Sequence, residues 1–469
     1  MDVAPSVPVR APRGQAVVIG AGIAGLLAAR VLTDAYKRVV VLEQDTLPDT
    51  PRQRPGVPQG HHVHGLTAHG AALIEGLFPG LRQELAEAGA PLGDFGERTV
   101  FLFPQGWSPR TTTGIPLQTF SRPLLETCLR RRVAALRGVH LRTAIRVTGL
   151  TGGTGRVSGV RARQRGDNGG GFTLDADLVV DAGGRTSHLP DWLEQLGLPR
   201  PQRAVIDADL AYSSRLYSAP RSDAPPWDAA METLQPPGNS RGFFAARIEG
   251  SRLLITLQGA AGNHPPHDPD AFSDFARRLH SPLGELLGGL TPQSAVRTYA
   301  HCSNRRNFYH RLSGWPAALI AIGDTVCAFN PLYGQGMSVA AMEAALLRTM
   351  LTTHPDPASG RFAASYQRRV ARLTRLPWLM STLPDRGWIP DERRQLPVGT
   401  AQVALTLLQR ASVNDPEFFR RFLTVMHMLK GPSALLHPRA LRTLLASVRH
   451  SPAPRPNGAE RLWWGREVR

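Results

Sequence analysis

From Gln15 onward, short unbroken apolar runs alternate with stretches whose apolar residues recur at helical intervals. AVVIG is a run of the first kind, IAGLLAARVLTDAY has helical spacing, and RVVVLE is a second unbroken run. Strands of this kind separated by helices predict a parallel sheet. PRQRPGVPQGHHVHG, between Thr50 and Leu66, reads as a loop, and a helical region runs from about 66 to 88. TVFLFP is a strand, and SRPLLETCLRRRVAAL is a helix with Ser121 as N-cap and Pro123 in its first turn. VHLRTAIRVTGLTGGTGRVSGVRARQR reads as strands joined by glycine turns, and DADLVVDAGG adds another apolar strand. Between about 203 and 299 the character changes. AVIDADLAYSSRLY, RGFFAARIEG and SRLLITLQGA read as strands, with a hairpin turn at 249–251. After Asn330 the chain is mostly helical to about Val448, broken by Pro377, Pro384, Pro390 and Pro397.

At 469 residues the chain is long enough for two joined domains or one large domain with an inserted sheet. Hydrophobic residues at 42% and charged residues at 20% argue for a globular chain rather than a disordered one. No run reaches the roughly 18 apolar residues of a membrane span, and MDVAPSVPVRAPRG lacks the apolar core of a signal peptide. The expectation is a cytoplasmic protein with no integral membrane segment. Cys128, Cys302 and Cys327 are far apart, so neither a disulfide framework nor a zinc site is expected. The formal charge of +18 raises nucleic acid as a partner, but only Lys37 and Lys430 are lysines and the arginines are scattered. The charge therefore reads as a general attraction for anionic cofactors, substrates or an acidic carrier protein. His61, His62, His64 and His69 crowd one region, yet no carboxylate or cysteine completes a ligand set beside them, so no metal is expected.

Three segments carry the chemistry. In GAGIAG, Gly20, Gly22 and Gly25 supply a tight turn, a backbone a pyrophosphate can approach, and close helix packing, with Ile23 and Ala24 at the helix start. Glu43 ends the next strand 18 residues beyond Gly25, where a carboxylate accepts from ribose hydroxyls. DAGGRTS, from Asp181, follows the strand DLVV. In AALIAIGDTVCAFNPLYGQGMSV, Gly323 and Asp324 end a strand, and Gly334 and Gly336 precede a helix beginning near Met337. That helix start has unpaired N–H groups suited to negative charge.

In this order the three segments resemble the flavoprotein monooxygenases of the aromatic-hydroxylase type. RPGVPQGHHVHGL, DLVVDAGGRTSHLP, SNRRNFYHRLSGWP and GDTVCAFNPLYGQGMSVAA are similar to the bacterial branch of polyether-biosynthesis epoxidases, such as the lasalocid and monensin epoxidases. The resemblance implies a Rossmann-like α/β FAD-binding domain (15–95, 120–200 and 300–350), an inserted mixed β-sheet substrate domain (96–119 and 201–299) and a C-terminal helical region (351–469). Residues 1–14 read as a flexible tail. It also implies site roles: Glu43 at the adenosine ribose, Arg54 and Arg122 by the pyrophosphate or ribityl chain, and Asp324 on the ribityl chain. Pro331 would lie by the flavin ring, and Gly334 to Ser338, including Gly336 and Met337, would offer backbone N–H groups to its pyrimidine edge. Asp181 would support the surrounding fold. The sequence has Asp181-Ala182 where the family has Asp-Gly, which leaves open whether NAD(P)H acts directly or through a separate flavin reductase.

The implied activity is that reduced FAD captures molecular oxygen as a C4a-(hydro)peroxide, which epoxidises or hydroxylates a lipophilic polyketide- or terpenoid-like intermediate. Phe103, Trp107, Tyr212 and Phe243, with Phe101 and Phe244, are candidates for the substrate wall. His62 and His64 are candidates, with Pro331, for positioning the ring or a substrate oxygen. A halogenase would need a lysine that neither Lys37 nor Lys430 provides. An FAD-dependent dehydrogenase or reductase on the same fold, and a non-catalytic flavin-binding partner protein, remain alternatives.

Overall fold

A computed structural model describes residues 13–166, 170–218, 225–300, 302–354, 356–449 and 463. The expected flexible tail lies outside the described residues up to 12, while Arg13 and Gly14 already belong to the first strand, Arg13–Ile19. Five strands form an all-parallel sheet in the order Leu319–Ala321, Leu178–Asp181, Arg13–Ile19, Tyr36–Leu42, Val139–Arg142. The unbroken apolar runs are its central strands, and Val17, Val18, Val39, Val41, Val179 and Val180 are fully enclosed, with helix Ile23–Leu32 and the antiparallel strands Ile145–Gly153 and Arg156–Gln164 packed against the sheet. Helix Ile23–Leu32 connects the first two strands and packs between helices Arg122–Ala134 and Gly336–Thr353. Helix Arg122–Ala134 begins as expected, with the Ser121 hydroxyl accepting the Leu124 N–H at 3.2 Å.

The region 203–299 builds a second layer. Its largest sheet has eight strands, mixed because Ala229–Glu232 runs parallel to Thr99–Phe103 while its other pairings are antiparallel. The hairpin between Arg241–Ile248 and Arg252–Gly259 turns through Gly250 and Ser251, both at positive φ. One boundary moves. Arg203–Ile206, expected in the inserted sheet, pairs instead with Asn304–Asn307 in a separate three-stranded sheet. Among the described residues no helix is long and apolar enough to cross a membrane.

The mixed sheet buries one face. Trp107, Trp227, Phe243, Ile255, Leu257 and Phe272 pack there with Trp463. The other face, carrying Tyr212, Phe244, Thr256 and Gln258, turns toward the parallel sheet.

Candidate functional site

Ile19 pairs in register with Asp181, and Asp181 with Ala321, so the carboxyl ends of three parallel strands lie side by side. The segments that follow them, 20–25, 182–187 and 322–325, therefore meet at one edge, where open α/β sheets bind ligands. That edge opens into a cavity of about 600 Å³, whose opposite wall is the mixed sheet.

The glycines of the first turn divide their work. Gly20 has φ +96°, and a Cβ there would stand 2.6 Å from the Ala182 carbonyl oxygen. A Cβ on Gly25 would stand 1.9 Å from the Gly20 carbonyl oxygen, so this position is fixed by close packing and does not line the cavity. Gly22 differs: nothing lies within 4 Å of where its Cβ would be, and it lines the cavity with Ile23 and Ala24. Helix Ile23–Leu32 starts here with no side-chain cap, leaving first-turn N–H groups for a ligand.

Glu43 lines the cavity but is already engaged, accepting from the Ala21 N–H at 2.8 Å and the Asp45 N–H at 2.9 Å. Arg54 is buried among three carboxylates, 2.6 Å from Glu126, 2.9 Å from Asp45 and 3.3 Å from Glu43. Its charge is matched within the protein by these carboxylates, and Arg54 itself lines the cavity beside Glu43. Arg122, one turn before Glu126 on the same helix, lines the cavity with its guanidinium 3.3 Å from that carboxylate.

At the third segment, burial raises the Asp324 carboxyl above the ordinary range, opposed by the charges of Arg185, Arg122 and Arg305. A Cβ on Gly336 would stand 3.8 Å from Asp324 Oδ1, so the carboxylate lies by the start of helix Gly336–Thr353. Gly323 has φ +68° and packs against Ala24. Asp181, fully enclosed, accepts from the Gly183 N–H, the Ser187 hydroxyl and the Thr325 hydroxyl at 2.8, 2.8 and 3.1 Å, tying the second segment to the third. Gly334, Gly336, Met337 and Pro331 line the cavity. Ser338 does not: it is enclosed, and its hydroxyl accepts the Thr67 N–H at 2.9 Å to seat the neighbouring helix.

Of the six aromatics expected as candidates for the substrate wall, Tyr212 and Phe244 line the cavity, and Phe101, Phe103, Trp107 and Phe243 do not. Phe243 and Trp107 belong to the core beneath the mixed sheet, and Phe103 packs against Phe422 in the C-terminal helices. Strand alternation is the reason. Phe243 points into the core, and its neighbour Phe244 points to the cavity.

The loop 58–65 crosses this wall. His62 is 5% exposed, with Nδ1 2.7 Å from the Ser214 hydroxyl, and burial lowers its pKa to about 4. His64, whose Nδ1 lies 2.9 Å from the His62 carbonyl oxygen, is lowered to about 3 by burial and by the Arg122 charge. Both imidazoles are neutral at physiological pH.

Three features carried no sequence expectation. Arg185 of DAGGRTS lines the cavity while donating to the carbonyls of Ser303 and Phe329 at 2.7 and 2.8 Å. Glu343 accepts the Gly323 N–H at 2.5 Å, and burial raises its pKa to about 8. Asp385, on helix Arg375–Arg386, accepts from Asn304, Asn330 and Tyr333 at 2.6, 2.9 and 3.0 Å, and Tyr212 donates to Asn330 at 2.7 Å. A C-terminal helix thus supports the turn at Pro331 from behind.

A family model described as FAD binding domain matches residues 13–375. The chain belongs to the FAD binding domain family. This family member is 32% identical over 449 residues to Protein Rv3254 of Mycobacterium tuberculosis (strain ATCC 25618 / H37Rv), covering 92% of this chain and 94% of that one. It is 28% identical over 376 residues to the kynurenine 3-monooxygenase of Salinispora arenicola (strain CNS-205), covering 76% of each. Its fold resembles that of CmlS, a flavin-dependent halogenase, with a TM-score of 0.63 at 17% identity, covering 94% of this chain and 77% of the other. For PqsL, a probable FAD-dependent monooxygenase from Pseudomonas aeruginosa, the values are 0.59 and 15%, covering 82% and 99%. The FAD binding domain protein thus stands among FAD-dependent oxidoreductases of the monooxygenase kind. Its cavity fits the dinucleotide on its own terms. Gly22 leaves open space at an uncapped helix start, and Arg185 Nε and the Gln335 amide are buried polar groups with no partner among the described residues.

Proposed function

We propose that the protein inserts one atom of molecular oxygen, by epoxidation or hydroxylation, into a polyketide- or terpenoid-like small molecule lying between FAD and the mixed sheet. The observation that carries this reading is the continuity of one cavity from Gly22 and Glu43, past Asp324, to Tyr212, Phe244, Thr256 and Gln258. Epoxidation is favoured by the motifs shared with the polyether epoxidases. In this reading residues 22–24 hold the pyrophosphate, Glu43 the adenosine ribose, Asp324 the ribityl chain, and the backbone of Gly334, Gly336 and Met337 the pyrimidine edge. Arg122 and Arg185 balance the anionic cofactor. Bound FAD supplies the oxygen chemistry, with electrons from NAD(P)H directly or through a flavin reductase. The chain's part is to hold the substrate against the ring and to exclude water, with Pro331, His62 and His64 at the boundary. The inserted sheet, built from 99–107 and 211–299, then forms the substrate side, and the helices from 351 onward close the cavity from behind.

A halogenase reading gains nothing from the cavity, because Lys37 and Lys430 are exposed and neither lines it. The test is incubation with NAD(P)H, a flavin reductase, candidate alkenes and oxygen-18 gas, followed by mass spectrometry. One labelled oxygen atom in the product is expected, the second leaving as water. A product that has lost two hydrogens and gained no label, with hydrogen peroxide formed, would establish a dehydrogenase instead.

A further inference from the structure

The cavity wall expected to be aromatic also carries polar side chains, Thr256 and Gln258, beside Tyr212 and Phe244. Ser214, Thr256 and Phe244 lie opposite one another across three strands, and Tyr212 pairs with Gln258 in the next row. These polar side chains are buried and ordered. The Val63 N–H donates to the Thr256 hydroxyl at 2.9 Å, which lies 2.7 Å from the Ser214 hydroxyl, which lies 2.7 Å from His62 Nδ1. Among the described residues only one order gives each hydroxyl hydrogen an acceptor: Thr256 donates to Ser214 and Ser214 donates to Nδ1. Nδ1 is then the acceptor, so the ring proton sits on Nε2. That atom is buried and has no partner among the described residues. In the adjacent row Gln258, 3% exposed, has its carbonyl Oε1 buried and likewise without a partner. Both residues line the cavity. An N–H and a C=O of this kind are costly when buried and left unsatisfied, so the wall is completed by whatever binds there.

We propose that His62 and Gln258 form a donor–acceptor pair that selects the substrate's polar edge: a carbonyl-type oxygen at His62 Nε2 and a hydroxyl or amide N–H at Gln258 Oε1. This rests on the reading above that the mixed sheet is the substrate side. It narrows the substrate class from a plain hydrocarbon to an oxygenated molecule carrying both groups. Thr256 and Gln258 are two residues apart on one strand, about 6.5 Å, which sets the scale of separation between the two groups. Ser214 does not line the cavity and acts through His62 as a positioning residue.

The experiment measures binding of four probes to the FAD-loaded protein by calorimetry: 4-hydroxyacetophenone, acetophenone, 4-ethylphenol and 4-ethyltoluene. These carry both groups, the acceptor alone, the donor alone and neither. The protein is expected to favour each group about tenfold. The acceptor preference should vanish in His62→Phe and shrink in Ser214→Ala, while the donor preference should vanish only in Gln258→Leu. Retained FAD and an unchanged melting temperature show that each variant is folded, and Ser214→Ala gives the same test if His62→Phe does not fold. A wild-type protein that ranks the probes equally or binds none overturns the proposal. So does an acceptor preference that survives in both His62→Phe and Ser214→Ala, or loss of FAD in His62→Phe, which would put His62 on the cofactor. Binding needs no turnover, so a negative oxygen-18 result would sink the monooxygenase reading and leave this one standing.

Discussion

Gly22 and Gly25 stand three residues apart in one turn, and adding the same methyl group to each should break different things. At Gly25 the new Cβ would lie 1.9 Å from the Gly20 carbonyl oxygen and 3.0 Å from its carbon, both backbone atoms of the same turn. Overpacking of this kind costs about 1–3 kcal/mol or more, and a backbone carbonyl cannot rotate aside as a side chain can, so Gly25→Ala belongs at the upper end of that range. The loss should appear in the melting temperature of apoprotein and holoprotein alike. Gly22 has φ −72° and ψ 179°, which alanine adopts without strain, and open space around it. Replacing an N-cap glycine by alanine costs about 1 kcal/mol at most. The methyl would instead stand where a pyrophosphate must approach the helix start. Losing one charge-assisted hydrogen bond there, about 1.5–3 kcal/mol, weakens FAD binding about tenfold to a hundredfold. The assay pairs thermal unfolding of the apoprotein with a flavin-fluorescence titration. If Gly22→Ala binds FAD as tightly as the unaltered protein, the pyrophosphate does not sit at this turn and the assignment of the cavity's first segment is wrong.

Asp324→Ala should yield folded protein without bound flavin, because the carboxylate proposed to hold the ribityl chain is gone; full flavin content after purification would show the ribityl contact to be elsewhere. Phe243→Ala should destabilise by about 3–5 kcal/mol while leaving substrate KM unchanged, whereas Phe244→Ala should raise KM with little effect on stability, and the reverse pattern would place the wrong face on the cavity. Glu343 has a folded pKa of about 8 against an ordinary 4.5, so the folded protein holds its proton more tightly than the unfolded chain. Its contribution is full below pH 4.5 and is lost as pH rises from about 4.5 to 8, a change of several kcal/mol at the upper limit. Denaturant titrations across that range should show stability falling with pH more steeply than in Glu343→Gln, and parallel curves would mean that the carboxyl is ionised in the fold.

What the sequence revealed of this molecule depends on how far each interaction reaches along the chain. The turn at Gly20, Gly22 and Gly25 was legible because its physics is local: a strand, a bend and a helix start within ten residues. Asp324 was legible for the same reason, as the residue where a strand ends before a glycine-led helix. Arg54 was legible only in part, because its partners Asp45 and Glu126 are 9 and 72 residues away, and nothing local shows that its charge is already matched. The substrate wall failed differently. Hydrophobicity drew attention to Phe103, Trp107 and Phe243, yet a strand covering a core on one face should show its polar residues on the other. LLITLQG carries that signal, with Thr256 and Gln258 two apart in an otherwise apolar run, and so does AYSS with Tyr212 and Ser214. Buried strands with polar residues at every second position mark the functional face, which here also carries Tyr212 and Phe244, while Trp107 and Phe243 lie on the opposite one.

The same reasoning assigns work to the C-terminal helices, which no motif could do. Asp385 reaches Asn304 across 81 residues and Asn330 across 55, so its role exists only once the helix is docked. Burial raises its pKa to about 6, held from going further by donors from Asn330, Tyr333 and Asn304. At neutral pH it is therefore largely a carboxylate, and an ionised acceptor orders its donors: Asn330 must turn its amide N–H to Asp385, which leaves Oδ1 to accept from Tyr212. The chain of contacts runs from a helix outside the cofactor sheet, through the residue before Pro331, to a ring on the substrate wall. The helices are thus part of the site's geometry, since that carboxylate, together with the Leu332 N–H that donates to Asn330 Oδ1 at 3.1 Å, fixes which way the Asn330 amide faces and keeps Oδ1 turned to the Tyr212 hydroxyl.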